Sequence, residues 1–326
     1  MLTDSVCINR VGGPEVLESC QVTVPPPGPG ELQLCQSAIG LNFADIYQRK
    51  GAHGPYTAAP FPVTLGSVGA GKVTAVGPGV EGFEVGQRVA CMHPGAYQVT
   101  RNVPAGRVVP LPDAIPEEVA GATLLRGLTA EYLLRRLYAV QSGDAVLVHA
   151  AAGGMGVLLS QWARALGATV IGTVGSEAKR AVALEHGCHH VINYREADFV
   201  AEVQALTGGE GVAVVYDAVG KDVFVPSLQC LRPCGMAINY GTASGDVEAF
   251  DLQLLHARSL IVSRPTLRTY IASPQALANA AATLFAAVAG GQLRLEVNHR
   301  YPLAAVRDAH RDLEGRATTG SAVLIP

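Results

Sequence analysis

The strongest constraint on the fold lies between residues 145 and 264, where short apolar runs alternate with stretches of helical periodicity. In the first helical stretch Leu158, Trp162 and Leu166 recur at intervals of four residues, which places them on one helix face. Six runs have the length and composition of buried strands: AVLVHA, ATVIGTV, HHVINY, VAVVYDAV, GMAINYG and SLIVSR. Six apolar strands separated by helices predict an α/β fold with a doubly wound parallel sheet.

A glycine-rich turn joins the first of these strands to the first helix. It reads Ala151-x-Gly153-x-x-Gly156, which is G-x-G-x-x-G with alanine in the first position. The first residue makes a tight turn, the second lets the backbone approach a pyrophosphate, and the third lets helix and strand pack closely. Alanine can serve in the first position if its φ stays negative. Because a helix N-terminus favours phosphate, the turn predicts a dinucleotide site in a Rossmann-type sheet.

The end of the second strand indicates which dinucleotide is bound. An NAD site usually places an acid there, about 20 residues after the glycine-rich turn, to bind the ribose 2′-hydroxyl. This chain has Gly175-Ser176 instead, with Lys179 close behind, and we expect Glu177 to lie in the first helical turn. A hydroxyl and a lysine fit a 2′-phosphate, so the sequence favours NADPH. The alternative is that Lys179 is a solvated residue of an ordinary helix.

The rest of the chain suggests a second domain. Residues 1–125 are rich in Gly and Pro and contain short alternating runs such as ELQLCQSAIGLN, which predict a β-rich, barrel-like domain. The nucleotide domain is expected over residues 126–268. The tail, residues 269–326, contains an alanine-rich stretch and a last strand, SAVLIP, and we expect it to return to the first domain.

Composition excludes several classes of protein. With 326 residues, 49% of them hydrophobic and 16% charged, the chain can form two domains with large cores. A net charge of −3 makes nucleic acid an unfavoured main partner. The longest apolar stretch, Ala276–Ala289, is too short to span a bilayer and predicts a buried helix. The scattered cysteines and the lack of a signal sequence after Met1 point to a reducing cytoplasm.

Eight segments in a fixed order resemble the medium-chain dehydrogenase/reductase superfamily, and within it the zeta-crystallin-like branch of NADPH:quinone oxidoreductases. They are distributed over nearly the whole chain and are GGPEVL (12–17), GLNFADIYQRKG (40–51), GLTAEYLLR (127–135), HAAAGGMG (149–156), LGATVIGTVGSEAK (166–179), VINYRE (191–196), VVYDAVG (214–220) and RATTGSAVLIP (316–326). The resemblance implies a GroES-like barrel beside the Rossmann-type domain, and reduction of quinones by hydride from NADPH without metal or flavin.

The resemblance also implies a set of site residues. Asn42 and Tyr47 would be catalytic, through hydrogen bonds to the carbonyl of the acceptor. The expected cofactor-binding residues are Phe43, Asp45, Tyr47, Ala151, Gly153, Gly154, Met155, Gly156, Gly175, Ser176, Lys179, Tyr194, Val219, Tyr240, Gly241, Val262, Arg264 and Arg316. Among them Gly154 and Met155 would meet the pyrophosphate.

Zinc alcohol dehydrogenases that resemble this fold take a cysteine near position 42 and a Gly-His-Glu at 66–68. Here the residues are Asn42 and Gly66-Ser67-Val68, so ligands that catalytic zinc requires are replaced. We therefore expect no metal site. Without a Lewis acid to stabilise an alkoxide, alcohol oxidation is disfavoured.

Alternatives remain open at this stage. Tyr47 could simply pack in its loop, Asn42 could fix that loop, and Arg49 and Lys50 could either line the mouth of the site or be solvated. The same fold and cofactor would also suit an enoyl-thioester reductase, with a tyrosine as proton donor. A non-enzymatic, crystallin-like protein that binds NADPH or RNA is a third reading. A homodimer is expected, because the strand around Leu260 would be an edge of the sheet.

Overall fold

The computed structural model describes residues 1–51, 60–315 and 317–326. These residues form two compact units. The first comprises Met1–Leu125, Ser273–Phe285 and Leu295–Pro326, and the second comprises Arg126–Ala272 and Ala286–Arg294. The predicted domain boundaries, with domains at 1–125, 126–268 and 269–326, stay a prediction. Each of the two units has its own sheets and core.

The strands of the described ranges, in chain order, are β1 (Leu2–Ile8), β2 (Glu18–Thr23), β3 (Glu31–Leu41), β4 (Val63–Thr64), β5 (Val68–Val76), β6 (Arg88–Met92), β7 (Thr100–Pro104), β8 (Val108–Pro110), β9 (Ala145–Val148), β10 (Thr169–Val174), β11 (His190–Asn193), β12 (Val212–Asp217), β13 (Leu231–Asn239), β14 (Ile261–Ser263), β15 (His299–Pro302) and β16 (Ala322–Ile325).

The helices of the same ranges are α1 (Phe43–Lys50), α2 (Glu117–Tyr132), α3 (Gly154–Ala165), α4 (Ala178–Glu185), α5 (Phe199–Leu206), α6 (Phe224–Ser227), α7 (Gln253–His256), α8 (Leu267–Tyr270), α9 (Pro274–Ala289) and α10 (Val306–Glu314). A π-helical turn, Leu133–Leu137, follows α2.

The first unit is built from two sheets. The larger has the strand order β15-β16-β3-β5-β6-β8, with β7 also paired to β3, and the smaller has the order β2-β1-β4. Strand β3 alternates inward and outward side chains, so Leu32 and Leu34 enter a core with Val73, Val89 and Val103. The last strand, β16, pairs antiparallel with β3 in the register Ala322↔Leu41. The C-terminal strand is therefore part of the same sheet as the chain that leads into α1.

The second unit contains one six-stranded sheet in the order β11-β10-β9-β12-β13-β14. All its pairings are parallel. Five of the strands lie within the apolar runs identified from the sequence, and β13 begins at Leu231, four residues before its run GMAINYG. The predicted doubly wound parallel sheet is confirmed. Helix α3 packs Leu158 and Trp162 inward, as its periodicity requires. The order reverses between β9 and β12, and in such sheets ligands bind outside the carboxyl ends of the strands at this reversal.

The alanine-rich helix α9 differs from its prediction. It buries Leu277, Ala280, Ala281, Leu284 and Ala287, while the residues between them are exposed or half-buried. Alanine carries too little hydrophobic contrast to reveal an exposed face, so a half-buried helix resembled a fully buried one. Over the part of the chain that the structure describes, no helix has both the length and the apolar character needed to cross a membrane.

Candidate functional site

The glycine-rich turn occupies the carboxyl end of β9. Ala150 adopts a left-handed φ of 54°, whereas Ala151, the first motif position, is not among the residues of positive φ. Alanine therefore fits the first position without strain there. A Cβ at Gly156 would lie 2.3 Å from the Ala150 oxygen, so only glycine lets α3 come this close to the turn.

The start of α3 offers donors for an anion. Its N-cap is Gly153, which has no side chain to bond the first-turn N–H groups, among them those of Gly154 and Met155. The Ala151 N–H donates to the Thr173 oxygen at 3.0 Å and ties the turn to β10. Main-chain donors at a helix N-terminus, next to glycines that permit no side chain, fit the pyrophosphate of a dinucleotide.

The carboxyl end of β10 brings together the residues predicted for a 2′-phosphate. A Cβ at Gly175 would lie 2.8 Å from the Tyr194 hydroxyl, so the phenol lies against the Gly175 backbone. The Lys179 N–H donates to the Ser176 oxygen at 3.1 Å in the turn before α4. Glu177 is the N-cap of α4, beyond the end of β10, and its carboxylate pairs with Arg180 at 3.8 Å. This turn therefore has no acid at the end of β10, the position at which an NAD site binds the ribose 2′-hydroxyl.

Asp217 and Asn239 are buried polar residues at the ends of β12 and β13, and sequence reasoning did not single them out. The Asp217 carboxylate accepts from the N–H groups of Val219 at 2.7 Å and Gly220 at 3.0 Å, and from Asn239 Nδ2 at 2.8 Å. Burial raises the pKa of the Asp217 carboxyl, and these hydrogen bonds oppose that rise. The sequence signal that could have identified Asp217 is an acid at the end of an apolar strand, in VVYDAVG.

Other predicted residues lie at the same ends of these strands. Tyr240 and Gly241 follow β13, Val262 lies within β14, and Arg264 follows β14. The Arg264 guanidinium donates to the Asn239 oxygen at 3.1 Å. The structure therefore groups them along the carboxyl ends of the strands in the parallel sheet of the second unit.

In the first unit, α1 carries the residues expected to be catalytic. Asn42 is its N-cap, is 3% exposed, and both side-chain amide atoms lack a hydrogen-bond partner among the described residues. Tyr47 is half-buried, with its ring centroid 6.1 Å from that of Phe43. A buried amide without a partner is costly unless a ligand completes its hydrogen bonds, so Asn42 fits a binding role.

Asp45 is fully buried one helical turn further on. Its carboxylate accepts from the Asn42 N–H at 2.9 Å and from the Tyr97 hydroxyl at 3.1 Å. The contact of Asp45 with the cofactor stays a prediction, and the structure shows it as the residue that holds the start of α1.

The Tyr97 hydroxyl continues into a buried chain of hydrogen bonds. It lies 2.9 Å from His310 Nε2, and His310 Nδ1 lies 3.1 Å from the Arg49 guanidinium. Because arginine only donates, His310 accepts at Nδ1 and donates at Nε2. Burial lowers the pKa of His310 to about 3, which keeps the ring neutral. Arg49 is also paired with Glu314 at 2.6 Å.

This chain of bonds excludes both alternatives that the sequence left open for Arg49. The residue neither lines the mouth of a site nor is solvated, because α10 covers it. Lys50 is exposed and pairs with Glu314. Tyr97 and His310 were missed because their partners lie 52 and 261 residues away in the sequence, beyond the reach of any local pattern.

The two positions that replace zinc ligands meet around one glycine. A Cβ at Gly40 would lie 3.2 Å from Asn42 Nδ2 and 3.4 Å from Val68 Cβ. An amide and a valine methyl group at this place are not zinc ligands. Within residues 1–51, 60–315 and 317–326, no group of His, Cys, Asp and Glu could hold a metal ion. Arg316, predicted to bind the 2′-phosphate, lies outside the described residues.

Comparison with known proteins is consistent with this architecture. Residues 28–135 match the alcohol dehydrogenase GroES-like domain and residues 154–286 match the zinc-binding dehydrogenase family. The fold and site thus define a two-domain dehydrogenase/reductase of the medium-chain type, and the predicted GroES-like barrel is confirmed.

Individual relatives show to which family within the medium-chain dehydrogenases/reductases the chain belongs. A quinone oxidoreductase of Salmonella typhimurium is 46% identical over 98% of both chains, and a 2-haloacrylate reductase of Burkholderia sp is 44% identical over 98% of both. The crystal structure of Escherichia coli quinone oxidoreductase complexed with NADPH matches at a TM-score of 0.95 and 42% identity, covering 99% of this chain and all of that one. The chain belongs to the quinone oxidoreductase family of the medium-chain dehydrogenase/reductase superfamily.

Proposed function

We propose that this protein is an NADPH-dependent quinone oxidoreductase. The observation that carries the proposal is the full-length similarity to quinone oxidoreductases, one of which was solved with NADPH. The end of β10 supports the same cofactor, because a turn with Ser176 and Lys179 stands where an NAD site has an acid. When bound, NADPH supplies a hydride, and a quinone accepts hydride readily because it is electron-poor.

The residues of the second unit would hold the cofactor. Ala151, Gly153 and Gly156 shape the turn, and Gly154 and Met155 donate to the pyrophosphate. Gly175, Ser176, Lys179 and Tyr194, with Arg316, would surround the 2′-phosphate. Val219, Tyr240, Gly241, Val262 and Arg264 would bind the nicotinamide end. The first unit carries three further predicted cofactor-binding residues, Phe43, Asp45 and Tyr47.

The acceptor would be oriented by α1. Asn42 Nδ2, which has no hydrogen-bond partner among the described residues, can donate to a quinone carbonyl. The half-buried Tyr47 can offer its hydroxyl to the oxygen on which negative charge develops. Asn42 and Val68 leave no ligand set for zinc, so the site suits acceptors that need no Lewis acid.

The Tyr47→Phe and Asn42→Ala variants test the assignment of the acceptor site. If these groups assist the acceptor, quinone turnover should fall about tenfold to a hundredfold, since a single donor to a developing oxyanion is worth at least that much. The dissociation constant of NADPH should stay close to that of the unaltered protein. Turnover that is unchanged in both variants would remove α1 from the chemistry.

One relative raises a second candidate function. The 2-haloacrylate reductase is as similar to this chain as the quinone oxidoreductases are. The enoyl-thioester alternative requires a nearby proton donor in addition to the hydride donor. Tyr47 could serve as that donor. Direct competition between quinones and unsaturated acids distinguishes the two functions.

The remaining features of the proposal concern partners and location. A homodimer is supported by the edge strand β14, whose Ile261 is 47% exposed. Equilibrium sedimentation of the Ile261→Lys variant tests the homodimer, and a monomer is the expected result.

A cytoplasmic location agrees with the free cysteines of the described chain. The net charge of −3 disfavours nucleic acid as main partner.

A further inference from the structure

Two turns at the carboxyl ends of β12 and β13 are joined by one pair of side chains. Asp217, the last residue of β12, is 0% exposed, and Asn239, the last residue of β13, is 4% exposed. Asp217 Oδ1 accepts from Val219 N and Gly220 N, which bends the chain sharply after β12. Asn239 Nδ2 donates to Asp217 Oδ2 at 2.8 Å and joins the two strand ends.

The main chain reinforces this connection. The Asp217 carbonyl accepts from Tyr240 N at 2.8 Å and from Gly241 N at 3.3 Å. Asn239 Nδ2 donates a second bond, at 2.9 Å, to the Gly241 oxygen. The two residues therefore determine the course of both turns, 217–220 and 239–241.

These turns lie where the second half of a dinucleotide is received. A doubly wound sheet of this order binds a dinucleotide across the carboxyl ends of its strands, one mononucleotide to each half. The glycine-rich turn and Lys179 occupy the ends of β9 and β10, in the half that suits the adenosine 2′-phosphate. The ends of β12 and β13 remain for the nicotinamide half.

Stability alone does not explain why the buried residue at position 217 is an aspartate. Burial disfavours the ionised carboxyl of Asp217 and raises its pKa. A neutral residue would avoid that penalty, but it would not accept from two N–H groups and an amide at once as strongly as a carboxylate does. A strongly held turn is useful where main-chain atoms must meet a ligand in one geometry.

We propose that Asp217 and Asn239 are positioning residues, which hold turns 217–220 and 239–241 in the geometry that receives the nicotinamide half of NADPH without touching the cofactor themselves. The inference rests on the proposed function in one respect, namely that NADPH is the cofactor. It assigns the affinity for the nicotinamide half, and not that for the 2′-phosphate half, to this pair.

The test compares two ligands by calorimetry. NADPH spans both halves of the site, whereas 2′,5′-ADP carries the adenosine and the 2′-phosphate but no nicotinamide. In Asp217→Asn and in Asn239→Ala the dissociation constant of NADPH should rise about tenfold or more, the effect of losing a charge-assisted hydrogen bond. The constant for 2′,5′-ADP should change by less than about twofold. In Asn239→Ala the hydrogen bonds of Asp217 Oδ1 to the main chain of turn 217–220 remain possible. This variant is therefore informative even if Asp217→Asn does not fold.

Asp144→Asn is the matched control. Asp144 is also a buried acid of this sheet, but it precedes β9 at the opposite end and accepts from Gln141 N at 2.9 Å and Tyr138 Oη at 3.2 Å. The Asp144→Asn variant should have a lower melting temperature, and its dissociation constants for NADPH and 2′,5′-ADP should be unchanged. Equal weakening of both ligands in the Asp217 and Asn239 variants, or unchanged NADPH affinity, would overturn the inference. Quinone turnover by the unaltered protein, measured in parallel, reports on the proposed function alone.

Discussion

The main-chain N–H of Asn42 donates to the carboxylate of Asp45 at 2.9 Å, and that carboxylate is fully buried. Among the described residues Asn42 Nδ2 has no hydrogen-bond partner, while the Asn42 main chain is held by a carboxylate from the interior of the unit. The same carboxylate accepts from Tyr97, so the start of α1 depends on a residue that is distant in sequence. Support of this kind keeps a binding group in place without using its own hydrogen-bonding atoms.

Tyr97→Phe should lower the free energy of unfolding by about 1–3 kcal/mol, because it leaves buried polar atoms of Asp45 and His310 without this partner. Chemical denaturation measures the change. Tyr301→Phe is the control: its hydroxyl bonds Asp312 at 2.8 Å, but both residues are partly exposed, so water can replace the bond. A loss for Tyr97→Phe no larger than that for Tyr301→Phe would show that the buried chain contributes little.

Lys179→Ala should raise the dissociation constant of NADPH about tenfold or more, because a charge-assisted bond to a phosphate contributes about 1.5–3 kcal/mol. NADH affinity should change little. Fluorescence titration with both cofactors provides the measurement, and Arg180→Ala, which removes an exposed neighbour paired with Glu177, should affect neither. If Lys179→Ala weakens both cofactors equally, the lysine does not read the 2′-phosphate.

Stability should fall in mild acid because of two buried histidines. Burial lowers the pKa of His149 and of His310 to about 3, well below the ordinary value near 6.5. Between those values the unfolded chain binds protons that the folded chain does not, so stability is lost as the pH falls through this window. Each histidine should contribute a slope of about 1.4 kcal/mol per pH unit.

Unfolding measured from pH 7 to pH 5 checks this expectation. His149 is held by Thr173 Oγ1 and Ser227 Oγ, both at 2.8 Å, so His149→Gln should be less stable at neutral pH. Its stability should nevertheless decline less steeply with acid than that of the unaltered protein. An equal slope in both proteins would mean that His149 takes up a proton in the folded state as readily as in the unfolded one.

The sequence allowed the second unit to be predicted well, because its signals are local. Apolar runs, helical periodicity and the glycine-rich turn each lie within a few residues, and the absence of an acid at the end of β10 could be read directly. The position of Glu177 at the start of α4 was anticipated for the same reason. Asp217 stood in a recognised segment, but its partner Asn239 is 22 residues away, so their bond was not visible.

The first unit was harder to predict, since its polar interior is assembled from distant segments. Arg49 has the composition of a surface residue, and only the packing of α10 shows that it is buried beside His310. Long-range partners of this kind leave no periodic trace in one sequence. The exposed side of α9 was missed for a different reason, namely that alanine occurs on both faces of the helix.

The most direct test of the central claim is the rate of NADPH oxidation with competing acceptors, measured on the protein after dialysis against a strong chelator. Small ortho- and para-quinones should be reduced fastest, with crotonyl thioesters and 2-haloacrylates slower and with negligible oxidation of primary or secondary alcohols by NADP⁺. Chelation should not matter, because Asn42 and Val68 replace the ligands that zinc would need. An unsaturated acid or thioester that outpaces every quinone, or activity lost together with one bound zinc per chain, would contradict the account.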